Sequence, residues 1–179
     1  APVQADSDIK LIVRADDIGS FHAANLACIQ ACKEGIARSV EIMVPTPWFN
    51  EAVQMLNENP SIDTGVHLTL TSEWDNYKWR PITAVTSFVD PLGNFVPKTS
   101  QSKSDPPRTG FLQSGYDMKE VEKELRAQIE IAQNRLPNVT HLSAHMGTAT
   151  CMPNLKTLTT SLAEEYGLPI LFPGLKRAP

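Results

Sequence analysis

The sequence predicts an α/β protein built on a parallel sheet or barrel, and two observations carry that prediction. Short apolar runs rich in β-branched residues alternate along the chain with segments of helical period, the pattern of repeated β/α units. Three of those runs also stop at acidic or imidazole side chains: Leu11-Ile12-Val13-Arg14-Ala15-Asp16-Asp17, Gly65-Val66-His67, and Val139-Thr140-His141-Leu142-Ser143-Ala144-His145. In such folds the chemistry collects at the C-terminal ends of the strands.

Taken in order, residues 9–15 read as a buried parallel strand. Residues 20–34 follow as a helix, with Ser20 as its cap and Gly35 as its stop. Ser39–Val44 is a second strand, closed by Pro45 and Pro47, and Phe49–Asn57 a second helix ended by Pro60. Asp63–Leu70 is the third strand. From Thr71 to about Gly115 no period is sustained and Pro81, Pro91, Pro97, Pro106 and Pro107 punctuate the chain. A stretch of that length inside a domain reads as an insertion over the site, with a small hairpin at Asp90-Pro91-Leu92-Gly93. Tyr116–Leu136 is the clearest helix: Val121, Leu125, Gln128, Ile129 and Ala132 share one face, with Glu and Lys on the other. Pro137 closes it, and the fourth strand runs to His145. Pro153–Tyr166 is a helix stopped by Gly167, and Leu168–Phe172 a fifth strand. The chain is thus expected to hold about five β/α units in a single domain over residues 1–179.

Bulk properties narrow the partners. Of 179 residues, 41% are apolar and 20% charged, an ordinary globular balance. A formal net charge of −4 argues against a nucleic-acid face. No apolar run approaches the roughly 18 residues of a membrane span. Cys28, Cys32 and Cys151 make no disulfide framework, and the first two are read as small packing residues on one helix face. Ala1-Pro2-Val3-Gln4 would suit the end left by signal-peptide cleavage, so an exported protein is the expectation and a cytoplasmic one the alternative.

Asp16-Asp17 suits either a polar turn into a helix or one end of a metal site. His67 interrupts an apolar strand, which is consistent with a satisfied core histidine or with a ligand. His141 and His145 share a strand face but sit about 13 Å apart at roughly 3.3 Å per residue, too far to share one ion. His145, at the strand end, is the candidate ligand, and His141 is expected to be buried and hydrogen-bonded lower down. One carboxylate and two imidazoles leave positions open for water and substrate, as catalytic sites do. The cofactor expected is a divalent cation, zinc or magnesium, and the imidazoles lean toward zinc, cobalt, nickel or iron. A second carboxylate beside the ion would act as base toward bound water. Trp74, Tyr77 and Trp79 suit stacking on sugar rings or anchoring of their own loop, and His22 reads as a surface residue.

Several motifs together carry a family resemblance. Ala15-Asp16-Asp17-Ile18-Gly19 with Asn25 and Glu34-Gly35-Ile36 resembles the opening motif of the YdjC-like carbohydrate deacetylases. Gly65-Val66-His67-Leu68-Thr69-Leu70 is similar to that family's second motif, and Ser87-Phe88-Val89-Asp90-Pro91-Leu92-Gly93-Asn94-Phe95 to its loop. Glu124–Ile129 and Thr140–His145 resemble its later helix and strand. The resemblance implies a (β/α) barrel of the glycoside hydrolase/deacetylase type, related to the polysaccharide deacetylases. It implies a metal held by Asp17, His67 and His145, with Asp16 as catalytic base, and hydrolysis of an N-acetyl group on a small oligosaccharide. Trp74 and Trp79 are the candidate substrate-binding residues. The family commonly has an aspartate at Ser143 and a histidine at Gly147, and its longer members supply a further histidine, the acid for the leaving amine, near the C-terminus. No histidine follows His145 here, so the sequence is expected to be a fragment or an incomplete relative, with exposed strand edges that favour a homo-oligomer. A non-catalytic carbohydrate-binding relative and a metal hydrolase acting on a non-sugar amide or ester are the alternatives.

Overall fold

The computed structural model describes residues 11–170. Strands β1 (Arg14–Ile18), β2 (Ser39–Ile42), β3 (Asp63–Leu68) and β4 (Val139–Ala144) form one parallel sheet in the order β1-β2-β3-β4. Helices α1 (His22–Lys33), α2 (Phe49–Asn57), α3 (Met118–Arg135) and α4 (Pro153–Glu165) follow the strands. A doubly wound sheet reverses its strand order partway. Sequential neighbours with right-handed crossovers put every connecting helix on one face instead, which is how a β/α barrel runs. Against the last strand, Leu142 N–H donates to the Pro169 carbonyl at 2.8 Å and Leu142 bridges Ile170 in parallel. The expected fifth strand therefore begins beside β4, and its residues 171 and 172 lie outside the described residues.

The first strand is displaced from its expected position. It runs Arg14–Ile18 rather than 9–15, and Leu11 and Ile12 are 79% and 81% exposed. Residues 9 and 10 lie outside the described residues. The carboxylate pair therefore belongs to the strand instead of following it. Ser20 does not cap α1: Phe21 holds the cap position without a side-chain bond, and Ser20 Oγ donates to the Asp17 carbonyl at 2.6 Å.

β3 stops at Leu68, because the next backbone unit pairs with a side chain. Thr69 N–H donates to Gln128 Oε1 and Gln128 Nε2 donates to the Thr69 carbonyl, both at 2.8 Å. The α3 amide thus replaces a neighbouring strand. Two further α3 residues at helical spacing do the same for the segment that follows. Glu124 accepts from Ile82 N–H at 3.2 Å and from Thr83 N–H at 2.9 Å. Glu120 accepts from both the amide and the hydroxyl of Thr86 and of Ser87. Val121, Leu125, Ile129 and Ala132 are fully buried as expected, but so is Glu124, which the helical period had placed with the solvated face. Backbone amides of the long segment with no strand neighbour are paired instead by this acidic stripe. Phe88, Phe95 and Phe111 pack together as the segment's own apolar centre. The expected turn closes as a Val89–Phe95 antiparallel bridge, with Asp90 Oδ1 accepting from Leu92 and Asn94 amides.

One row across the sheet requires a residue without a side chain. Glu41, Gly65 and His141 are register partners on β2, β3 and β4. A Cβ on Gly65 would collide with His141 Nε2 and lie 2.5 Å from Glu41 Oε2. Gly65 thus lets Glu41 reach His141 over the intervening strand. Gly65→Ala is expected to cost about 1–3 kcal/mol through overpacking, read from chemical denaturation; a wild-type midpoint would refute the row.

The strap on the long segment is pH-dependent. Burial pushes the Glu120 carboxyl up, but its bonds from Ser87 and Thr86 outweigh that and hold it at about 2, below the ordinary 4.5. A lowered folded value contributes stability above the ordinary value and loses it as pH falls from 4.5 through about 2. Amide-exchange protection of Thr86 and Ser87 is expected to fade over that interval. In Glu120→Gln it should be weaker at neutral pH and flat on acidification, and a wild-type profile in that variant would count against the strap.

Candidate metal centre

Neighbouring residues of a regular strand point to opposite faces. Asp16 and Asp17 nonetheless line the same cavity, because β1 is irregular there: its register with β2 shifts between Ala15 and Ile18, and Asp17 sits at φ 71°. Aspartate is among the few residues that tolerate this left-handed region. At the far side, His145 follows directly on β4, and the chain turns sharply through Met146 and Gly147 at φ 51° and 69°. His67 projects from the end of β3. The three strand ends bring these side chains together.

Asp17 Oδ1 lies 3.4 Å from His67 Nε2 and 3.1 Å from His145 Nδ1. One donor atom from each of the three residues falls within 4.8 Å of the others. Donors around a tetrahedral ion with bonds of about 2.1 Å are roughly 3.4 Å apart, so the set fits a divalent cation such as zinc. His67 Nδ1 turns away to Ser143 Oγ at 2.7 Å, and His145 Nε2 turns away to Glu73 Oε2 at 3.0 Å. An outward bond from each imidazole to an oxygen partner is the usual support of a metal-ligating histidine.

Electrostatics divide the four acidic and basic groups. Burial, then the nearby positive charge of His145, drives His67 down to about 4, so its ring is neutral near pH 7. Burial also works against a charged His145, but its bonds to Asp17 and Glu73 prevail and raise it to about 9. In the metal-free protein a proton on Nδ1 thus stands where a cation would bind. Asp17 is held below its ordinary value: burial opposes this, but the His145 hydrogen bond and the two imidazole charges win. Asp16 moves the other way, raised chiefly by burial and further by Glu41 and Asp17, with Arg14 opposing. One carboxylate is thereby kept ionised and its neighbour is made a better proton acceptor.

The cavity in front of the two aspartates measures about 210 Å³ and is lined by Asp16, Asp17, Ser20, Phe21, Glu73 and Trp74, among others. Trp74 stands 52% exposed at its rim, edge-on to Phe21 at 6.1 Å between ring centres. Trp79 is buried; it donates Nε1–H to the Thr71 carbonyl at 2.8 Å and stands edge-on to His145, walling the site rather than offering a free face. His141 is buried as expected, on Glu41. His22 is exposed and meets Glu51 at 2.8 Å. Three site residues escaped the sequence reading. Glu73 gives no periodic signal in its polar loop. Glu41 does leave one, a charge inside the apolar run Val40–Val44, and Arg14 another, ahead of the acidic pair it serves at 3.1 Å from Asp16.

The sequence profile of the family described as YdjC-like protein matches residues 10–178. A carbohydrate deacetylase of Brevibacillus brevis is 32% identical over 168 residues, covering 93% of this chain and 60% of that protein. One of Thermus thermophilus is 39% identical over 163 residues, 91% of this chain and 53% of that protein. A crystal structure from Enterococcus faecalis, described as a cellobiose-phosphate cleavage protein, superposes with a TM-score of 0.78 at 28% identity, covering 96% of this chain and 61% of that one. The chain thus spans about 60% or less of the length of these relatives. Elemental analysis is expected to find close to one divalent ion per chain in wild type and in Asp16→Asn, and loss of the ion in His67→Ala and in His145→Ala. Retention of metal by both histidine variants would disprove the centre.

Proposed function

The chain belongs to the YdjC-like family, and we propose that it is a metal-dependent hydrolase removing N-acetyl groups from small N-acetylated oligosaccharides. The observation that carries this reading is the convergence of a three-donor metal set, Asp17, His67 and His145, with a second carboxylate, Asp16, that lines one cavity with Asp17. The relatives named carbohydrate deacetylases support the choice of bond and substrate class.

Asp17, His67 and His145 would hold the ion, with Asp16 facing the same space. When bound, the ion supplies Lewis-acid polarisation of the amide carbonyl and a more acidic water. Asp16 accepts the proton of the attacking water, a task its raised proton affinity suits. A C–O bond to the water forms and the C–N bond breaks, and the proton taken by Asp16 passes to the leaving nitrogen, so that the products are acetate and the amine. Arg14, paired with Asp16, limits the side-chain positions of that carboxylate. Glu73 keeps His145 in place through its Nε2.

Size and surface favour a terminal sugar unit. About 210 Å³ is below the roughly 300–1,000 Å³ typical of drug-sized sites, so one residue of an oligosaccharide would enter and the rest would lie outside. The exposed Trp74 ring at the rim offers an apolar face for stacking on a sugar.

Acetate release from N-acetylated di- and trisaccharides in the presence of zinc is the direct test. Asp16→Asn should keep its metal while losing about 10²–10⁴-fold in kcat, the usual worth of a general base. Full activity in that variant would overturn the role of Asp16. Saturable sugar binding with no acetate release at any metal would replace the enzyme reading with that of a carbohydrate-binding relative.

A further inference from the structure

Behind His67 lies a chain of buried polar groups that the proposed chemistry does not use. His67 Nδ1 faces Ser143 Oγ at 2.7 Å, and Ser143 Oγ donates to Glu41 Oε2. Glu41 Oε1 in turn meets His141 Nε2 at 2.6 Å, with Arg14 3.5 Å away. His67, Ser143 and Glu41 are 3%, 1% and 0% exposed, so no bulk water competes for these bonds. The chain exists only because Gly65 leaves the row between Glu41 and His141 open.

The direction of these bonds follows from counting protons. An ionised carboxylate only accepts, and a serine hydroxyl has a single proton to give. Glu41 is ionised: burial pushes it up, but the bonds from His141 and Ser143 outweigh that and hold it below the ordinary range. The Ser143 proton is therefore committed to Glu41, and the serine oxygen accepts from His67. A neutral His67 must then carry its proton on Nδ1, leaving a lone pair on Nε2. That lone pair faces the Asp17 carboxylate at 3.4 Å, two acceptors turned toward each other with no proton of their own to share. Such a juxtaposition calls for a cation.

We propose that Glu41, acting through Ser143, is a positioning residue that locks His67 in the Nδ1–H tautomer and so presents Nε2 as a preformed metal donor. This rests on the reading of Asp17, His67 and His145 as a metal centre. A buried Glu41–His141 pair that only stabilised the sheet would leave the His67 tautomer and the metal affinity independent of Ser143.

The test is ring-nitrogen NMR of the metal-free protein together with zinc titration calorimetry. Wild type should show His67 with its proton on Nδ1. Ser143→Ala should lose that fixed tautomer and bind zinc about 10–100-fold more weakly, the usual effect of removing an outer partner of a metal ligand. Glu41→Gln, whose amide can donate to Ser143 and reverse the chain, should weaken zinc binding in the same range. Ser143→Thr, which keeps the hydroxyl, should restore the tautomer and bind within a few-fold of wild type. A wild-type His67 protonated on Nε2, or unchanged zinc affinity in a folded Ser143→Ala, would overturn the proposal. Should Ser143→Ala not fold, the wild-type tautomer decides alone. Folded wild type that takes no zinc would instead defeat the metal-centre reading and this proposal with it. Zinc bound at wild type with the wrong tautomer defeats this proposal only.

Discussion

Charge balance at one end of the sheet is the constraint on which the site depends. Asp16, Asp17 and Glu73 face one cavity, and Glu41 lies buried just below. Four carboxylates so close would repel one another unless each had a cationic or hydrogen-bonding partner. Arg14 lies between Asp16 and Glu41, at 3.1 and 3.5 Å. His145 bridges Asp17 and Glu73, and His141 closes the remaining oxygen of Glu41. The space between Asp17 Oδ1 and His67 Nε2 has acceptors on both sides, a place that a divalent cation would balance.

The long segment after β3 belongs to this balance. Its first residues bring Glu73 and Trp79 against His145, and Tyr77 ties it to the β1–α1 turn through the Ser20 carbonyl at 2.6 Å. What keeps it there is the stripe Glu120, Glu124 and Gln128 on α3, which accepts from its amides where a strand neighbour would otherwise be needed. A helix face that looks solvated by composition is in this way the clamp of the candidate site's wall. Backbone pairing and site geometry are linked here, because the same helix that pairs these amides holds the segment carrying Glu73 and Trp79.

Much of the architecture was legible before the fold. Period and punctuation placed α2 at its exact residues and α3 and α4 within two of theirs. The first four expected strands also appear and pair in parallel. Boundaries suffered where tertiary partners intervened: β1 moved toward the acidic pair because its bulge is part of the site, and β3 ended early where Gln128 took over its hydrogen bonds.

By itself the sequence determined the β/α alternation, a glycine inside the third strand, and the residue types that end each strand. These are local properties, set by side-chain period, by the absence of a Cβ and by chemistry at single positions. Only the tertiary structure decided which partners those residues meet. Glu73 and Glu41 became site residues through bonds spanning 72 and 102 positions, and Asp17 meets His145 across 128. Such pairings depend on register, bulge and loop path together, and no window of sequence contains them. The direction of each hydrogen bond, and with it the state of each imidazole, is settled only when all partners are in place.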